Sequence, residues 1–151
     1  METIKGKIKA VSISKNRGTR KINVPAARLK VGFGIISDAH GGDWHRQVSL
    51  LACESIEKIR VKAVNLAPGD FAENITTEGI DLLKLELGSK LRLGLAAEVE
   101  VTQFGKKCHS RCEIFQQLGD CIMPREGIFA KVIKPGQIKP GDEIEVLDLN
   151  D

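Results

Sequence analysis

Between Gly105 and Cys121 the sequence reads GKKCHSRCEIFQQLGDC, which sets Cys108, Cys112 and Cys121 beside His109 and the cations Lys106, Lys107 and Arg111. Cysteine and histidine are zinc ligands and cysteine thiolates hold iron–sulfur clusters, so a metal cage is one chemistry open to this segment. Structural zinc sites favour two closely spaced Cys pairs, however. Here Cys108 and Cys112 form one pair, Cys121 stands nine positions on, and His109 is adjacent to Cys108, a poor arrangement for converging on one ion. The other chemistry is a single activated thiol. Nearby positive charge favours thiolate over thiol, and a thiolate is both a nucleophile and a soft metal ligand. Cys108, between Lys106, Lys107, His109 and Arg111, fits that description best. Cys112 is either a resolving thiol or packing, and Cys121, beyond the Gly119 that would end a short helix over Arg111 to Leu118, reads as structural.

Three further loops collect polar residues. Asp38 to Gln47 holds two of the three histidines, His40 and His45, together with the single tryptophan, Trp44, and glycines that let a ligand approach the backbone. A turn with a structural His–Asp hydrogen bond is the alternative there. Pro68-Gly69-Asp70-Phe71-Ala72-Glu73-Asn74 has turn chemistry and, taken alone, nothing more. Lys15-Asn16-Arg17-Gly18-Thr19-Arg20-Lys21 is a basic hairpin loop that could hold a phosphate through arginine and backbone N–H groups, or could simply be solvated surface charge.

The elements that must position these loops are mostly strands. Ile4, Gly6, Ile8 and Ala10 alternate with Lys5, Lys7 and Lys9, which predicts a strand with one solvated lysine face. The same period recurs at Leu91 and Leu93, at Val99 and Val101, and at Ile144 and Val146. Pro68-Gly69-Asp70, Pro135-Gly136 and Pro140-Gly141-Asp142 mark turns, the last leading into a strand expected to close a barrel or sandwich. One helix is predicted over Leu51 to Lys62, with Ala52, Ile56, Ile59 and Ala63 on one face, Glu54 one turn before Lys58, and Cys53 as packing. A second, short one is predicted over Arg111 to Leu118.

Bulk properties narrow the function. At 151 residues the chain suits one domain, and 42% hydrophobic with 28% charged residues favours neither disorder nor fibrous structure. A net charge of +3, with no basic helix interleaved with aromatics, argues against nucleic acid as a partner. The amino-terminal stretch METIKGKIKAVSIS lacks a signal-peptide core and no run approaches the roughly 20 apolar residues of a membrane span, so we expect a cytoplasmic protein with reduced thiols and no membrane partner.

Taken in chain order, the four loops resemble the MOSC domain, the module found at the C-terminal end of molybdenum cofactor sulfurases, in amidoxime-reducing proteins and as stand-alone bacterial proteins. The matching pieces are Asp38-Ala39-His40, His45-Arg46-Gln47-Val48-Ser49-Leu50, Glu54, Pro68 to Ile75, Gly88, Gly94, Val101-Thr102-Gln103 five residues before Cys108, and Gly141-Asp142. The GKKCHSRC and GDCIMPREGIFAKV segments look most like the small stand-alone bacterial branch. The resemblance implies a single MOSC-like domain over residues 1–151, mainly β, a barrel with one or two short helices. It implies that Cys108 carries sulfur as a persulfide or ligates molybdenum, that the cofactor is molybdenum cofactor (molybdopterin), and that cofactor-binding residues include His40, His45, Arg46, Gln47, Asn74, Arg17, Arg20 and Lys106. The anionic pterin phosphate would meet Arg17, Arg20, Lys21 or Arg46, while His40, His45 and Asn74 line the mouth.

Implied partners are molybdenum cofactor biosynthesis proteins or molybdoenzymes. Pyridoxal phosphate is not expected to bind so short and β-rich a chain, so a separate cysteine desulfurase would donate the sulfur. Two other functions stay open at this level: a molybdenum-dependent reductase of N-hydroxylated compounds with an external electron donor, and a small Cys/His metal-binding interaction module. Many relatives have glycine before the Asp-x-His where this chain has Ser37, and Arg-x-Pro-Cys where it has Gly105-Lys106-Lys107-Cys108.

Overall fold

Alternating apolar residues can be buried only if the strands that carry them share one interior, and the chain achieves this by closing its sheet. The computed structural model describes residues 4–16, 19–59, 67–105 and 126–147. The strands are β1 (Lys5–Ile13), β2 (Ile22–Val24), β3 (Ala27–Lys30), β4 (Gly34–Ile35), β5 (Val48–Ala52), β6 (Ile75–Glu78), β7 (Lys90–Leu93), β8 (Ala97–Phe104), β9 (Ile128–Lys134), β10 (Gly136–Ile138) and β11 (Glu143–Val146). Helix α1 (Cys53–Ile59) follows β5, and a 3-10 turn covers Leu82–Lys84.

The main sheet runs β11-β7-β8-β9-β5-β6-β1-β2, and β11 also pairs with β1, so every strand but β2 lies in a closed ring. Closure removes the sheet edges that would otherwise expose unpaired backbone groups. All pairs are antiparallel except β5 with β6. A second small sheet, β10-β3-β4, completes the fold.

The predicted alternation is observed. Leu91, Leu93, Val99, Val101, Ile144 and Ile8 are buried, and each side chain of this size contributes roughly 1.5–3 kcal/mol on burial. Lys5, Lys7 and Lys9 face solvent, where Lys5 pairs with Glu143 and Lys9 with Glu78. Pro140-Gly141-Asp142 does close the barrel, but through β1: Gly141 N donates to Ile8 O and Ile8 N to Asp142 O, both at under 3 Å. The strand before this turn, β10, belongs to the other sheet.

Three local expectations change. Leu51 and Ala52 belong to β5, where all five residues are buried, so the helix begins at Cys53. Glu54 is committed to the backbone, accepting from Gly79 N at 2.8 Å. Pro135-Gly136 is a break between β9 and β10 rather than a turn, and a Cβ on Gly136 would lie 2.8 Å from Ala97 N. The second predicted helix, Arg111 to Leu118, lies outside the described residues.

The Pro68–Asn74 turn is more than punctuation. Glu73 is fully buried and its carboxylate accepts from Gly69 N, Phe71 N and Thr76 Oγ1, while burial pushes the carboxyl above its usual range. Asn74 joins three strands: Oδ1 accepts from Ser49 N and Ser49 Oγ, and Nδ2 donates to Ser12 O. Gly69 O accepts from Lys21 N at 2.8 Å, and a Cβ on Gly69 would stand 2.4 Å from Lys21 O. With φ at +95° as well, Gly69→Ala is expected to destabilise the fold by more than about 1 kcal/mol in chemical denaturation. A variant as stable as the parent would mean the turn does not abut the hairpin this closely.

Candidate functional site

Loops take the shape their anchors allow, and the 37–47 loop is anchored by a buried ion pair. Asp38 and Lys21 have side chains with no solvent exposure, with Nζ 2.8 Å from Oδ1. The carboxylate is further satisfied by Ser14 N on Oδ1 at 3.1 Å and His40 N on Oδ2 at 3.0 Å. Burial opposes ionisation of Asp38, but the Lys21 ammonium and these hydrogen bonds outweigh it and hold the carboxyl below its ordinary 3.8. Lys21 is therefore not a phosphate ligand, as the basic loop suggested, but a buried brace.

From Asp38 the contacts run outward. Trp44 Nε1 donates to His40 O at 2.8 Å, which sets the indole beside the loop. The Arg46 guanidinium carbon lies 4.6 Å from the Trp44 ring centre and 5.7 Å from that of Phe129, within cation–π range of both. Arg46 Nε is buried and has no acceptor. His45 is exposed, makes an edge contact with Trp44, and its Nε2 lies 2.8 Å from Gln103 Oε1. Gln103 Nε2 in turn donates to Gly105 O at 2.7 Å, and Thr102 Oγ1 donates to His45 O. Since the Gln103 oxygen can only accept, His45 is the donor through Nε2.

This places His40, Trp44, His45, Arg46 and Gln103 in one connected group at the end of β8. Gly105 N donates to Gly127 O at 2.7 Å, so the connection that carries Cys108 leaves β8 and returns to β9 beside that group. Cys108 itself, Arg17 and Lys106 lie outside the described residues, as do His109, Cys112 and Cys121.

Two expected site residues are not at the mouth. Asn74 is fully buried, its amide spent on Ser49 and Ser12, and Gln47 is 3% exposed with Oε1 accepting from Val132 N at 2.9 Å. Both are braces between strands, because a carboxamide can satisfy backbone donors and acceptors where a ladder is interrupted. Arg20 lies against the Pro68–Asn74 turn, with Nη1 3.9 Å from Asp70 Oδ1 and a buried Nε that lacks an acceptor.

The described residues contain no cluster of three His, Cys, Asp or Glu side chains able to hold a metal. Cys53 is a poor nucleophile: burial and the Glu54 carboxylate push its thiol up to about 11. No described helix is long and apolar enough to cross a membrane.

A closed antiparallel-rich barrel, with a loop cluster gathered at the base of one long inter-strand connection, defines a small β-barrel domain. The profile of the MOSC domain matches residues 37–145, and the chain belongs to that family. Solved structures agree on the fold. The YuaD protein from Bacillus subtilis superposes with a TM-score of 0.79 at 21% identity, covering 96% of this chain and 97% of that one. YiiM from Geobacillus stearothermophilus gives 0.74 at 19% over 95% and 75%, and YiiM from Escherichia coli 0.66 at 19% over 100% and 72%. No curated protein matches the chain.

Ser37 explains one departure from the family pattern. It adopts φ of +76°, a left-handed conformation that glycine accepts without steric cost, and its side chain is exposed. Ser37→Gly should stabilise the protein by about 0.5–1 kcal/mol in urea or thermal unfolding; a loss of stability would show that the serine side chain contributes more than its strain costs.

Removing the carboxylate by Asp38→Ala should cost about 3–5 kcal/mol, because it strands a buried ammonium. The linkage has a definite sign: the folded carboxyl titrates below 3.8, so the stability it carries is complete above that pH and is lost as pH falls through the lower folded value. Carbon NMR of the Asp38 carboxyl checks this directly, and titration above 3.8 would contradict it. At pH 8 Cys53 should hold on the order of 100-fold less thiolate than a thiol at its ordinary 9.0, seen as slow alkylation by peptide mapping.

Proposed function

We propose that this chain binds molybdenum cofactor, or a sulfurated precursor of it, through the Cys108 thiolate, in the service of cofactor maturation or delivery. MOSC family membership ties the chain to molybdenum-cofactor chemistry, and the local observation that carries the reading is Arg46. Its guanidinium rests on Trp44 and Phe129, its Nε is buried without an acceptor, and no described carboxylate pairs with it. A fixed cation with a spare donor, at the base of the connection that carries the thiol, fits an anionic pterin phosphate.

In this reading Arg46 takes the phosphate, with Arg17 and Lys106 as further cations of the same loops, and His40 and His45 flank the bound group. Arg20 is the weaker candidate, since its guanidinium lies against the Asp70 carboxylate. Soft thiolate from Cys108 suits molybdenum, whose remaining ligands are dithiolene and oxo groups. When bound, the cofactor would supply redox chemistry and an acceptor for sulfur; the protein's own residues bind, orient and shield it. In this reading the sulfur on Cys108 would come from a separate cysteine desulfurase, and the acceptor would be a molybdoenzyme or a cofactor biosynthesis protein.

Protein purified anaerobically from a molybdate-fed host should carry molybdenum and pterin, and Cys108→Ser should lose most of both. Arg46→Gln should retain the fold and lower the cofactor content at least about tenfold, the loss expected for one charge-assisted contact. Equal loading of wild type and Cys108→Ser would exclude the thiol as the anchor.

A further inference from the structure

Successive side chains on a regular strand point to opposite faces of the sheet, yet Thr102 and Gln103 both bond His45. The register of β8 explains it. Val101 pairs with Ala130 and Gln103 with Phe129, so β8 takes two steps where β9 takes one, and Thr102 is the extra residue of a bulge. A bulge re-aims side chains, and this one brings two neighbours on β8 to the same histidine. Thr102 Oγ1 donates to the His45 carbonyl and holds the backbone, while Gln103 holds the ring. The Gln103 amide is itself oriented. The Gly105 carbonyl 2.7 Å away can only accept, so the amide end facing it is the NH2, and the amide oxygen faces His45 Nε2 at 2.8 Å. A backbone carbonyl thus dictates how the amide lies, and the amide dictates which ring nitrogen keeps a proton. Nε2 keeps it in the neutral and the charged ring alike. Nδ1 is left with the lone pair, on an exposed side chain whose ring makes no other hydrogen bond among the described residues.

We infer that Gln103 is a positioning residue that commits His45 to meet a ligand through Nδ1 alone, as the acceptor for an acidic O–H or S–H. In that step the O–H or S–H bond breaks, the proton forms an N–H at Nδ1, and the oxygen or sulfur keeps the electron pair. The imidazolium then stands as a charged donor to the anion, with Nε2 still bonded to Gln103. Fixing a ring by the bond its other nitrogen makes is the usual way a protein gives a histidine one role. The ligand half of this rests on the cofactor-binding reading above, which sets His45 beside the bound group; the tautomer half does not. Nδ1 is assigned to the ligand by elimination, since Nε2 is spent on Gln103. The same amide ties the imidazole to Gly105, whose N–H bonds Gly127 O, so the ring is fixed to the point where the Cys108 connection leaves the barrel.

Protein labelled with nitrogen-15 histidine tests the tautomer. The chain has three histidines, so His45→Gln assigns the His45 resonances. At a pH where the ring is neutral, long-range proton–nitrogen correlation spectra should show Nε2 protonated and Nδ1 bare, and acidification should move chiefly Nδ1. In Gln103→Met both nitrogens should take intermediate shifts, because the freed ring samples both tautomers. Gln103→Glu keeps an acceptor in that place and should restore the proton to Nε2. A proton on Nδ1 in the neutral wild-type ring, or a wild-type pattern identical to that of Gln103→Met, would overturn the inference.

Inorganic phosphate probes the ligand half, with the fluorescence of Trp44, the single tryptophan, reporting occupancy. As phosphate saturates, the His45 Nδ1 resonance should move and Nε2 should stay. Gln103→Met should weaken phosphate about three- to tenfold, the range of one neutral hydrogen bond. A shift confined to Nε2, or a His45 spectrum that ignores phosphate while Trp44 responds, would overturn that half. If the cofactor reading fails instead, purified protein holds neither molybdenum nor pterin and phosphate leaves Trp44 unchanged. The ligand half then falls with it, while the Nε2–H spectrum and its loss in Gln103→Met persist.

Discussion

Two charges shut away from water hold the mouth of this barrel together. The Asp38 carboxylate and Lys21 ammonium meet at 2.8 Å with neither side chain exposed. Removing two ions from water is costly, and their attraction offsets it only when the remaining donors and acceptors are matched. Here they are: Ser14 N and His40 N bond the carboxylate, and Ser14 Oγ and His40 Nδ1 lie within bonding distance of the ammonium. The pair joins the β1–β2 hairpin to the 37–47 loop, and that loop fixes His40, then Trp44, then the platform under Arg46. Apolar residues of similar volume often serve stability as well as a buried ion pair does. What they could not do is bond the backbone N–H groups of Ser14 and His40.

The barrel beneath supplies rigidity. Its ring closes through β1 and β11, and the places where regular pairing gives way are braced by buried polar side chains: Asn74 between β1, β5 and β6, Gln47 against β9, Glu73 inside its own turn. Loops that carry function need such a frame, because exposed backbone has few constraints of its own. Gly105 and Gly127, bonded to each other, then set where the Cys108 connection starts and ends.

Much of this frame could be read in the sequence. A period of two survives into structure wherever one strand face is buried, so Leu91, Leu93, Val99, Val101 and Ile144 declared themselves. The boundary at Cys53 did not, because a short apolar run such as Val48–Ala52 has no period to separate strand from helix. Residue type fails most at buried polar positions. Nothing local distinguishes Lys21 from Lys15, or Asn74 from a turn residue at the surface; only the tertiary contact removes each from solvent. Phe129 carried no signal at all, being one apolar residue in an apolar strand. The MOSC pattern named loops without saying which of their residues are exposed and which, like Lys21, Gln47 and Asn74, hold the strands and loops in place.

That distinction narrows the proposal to one thiol and one cation: Cys108 as anchor, with Arg46 held on Trp44 and Phe129. Its central claim is a bond between molybdenum and the Cys108 sulfur. The most direct measurement is molybdenum K-edge X-ray absorption on anaerobically loaded protein, comparing wild type with Cys108→Ser. The account predicts one more sulfur in the molybdenum shell of the wild type than of the variant; identical sulfur coordination in the two would contradict it.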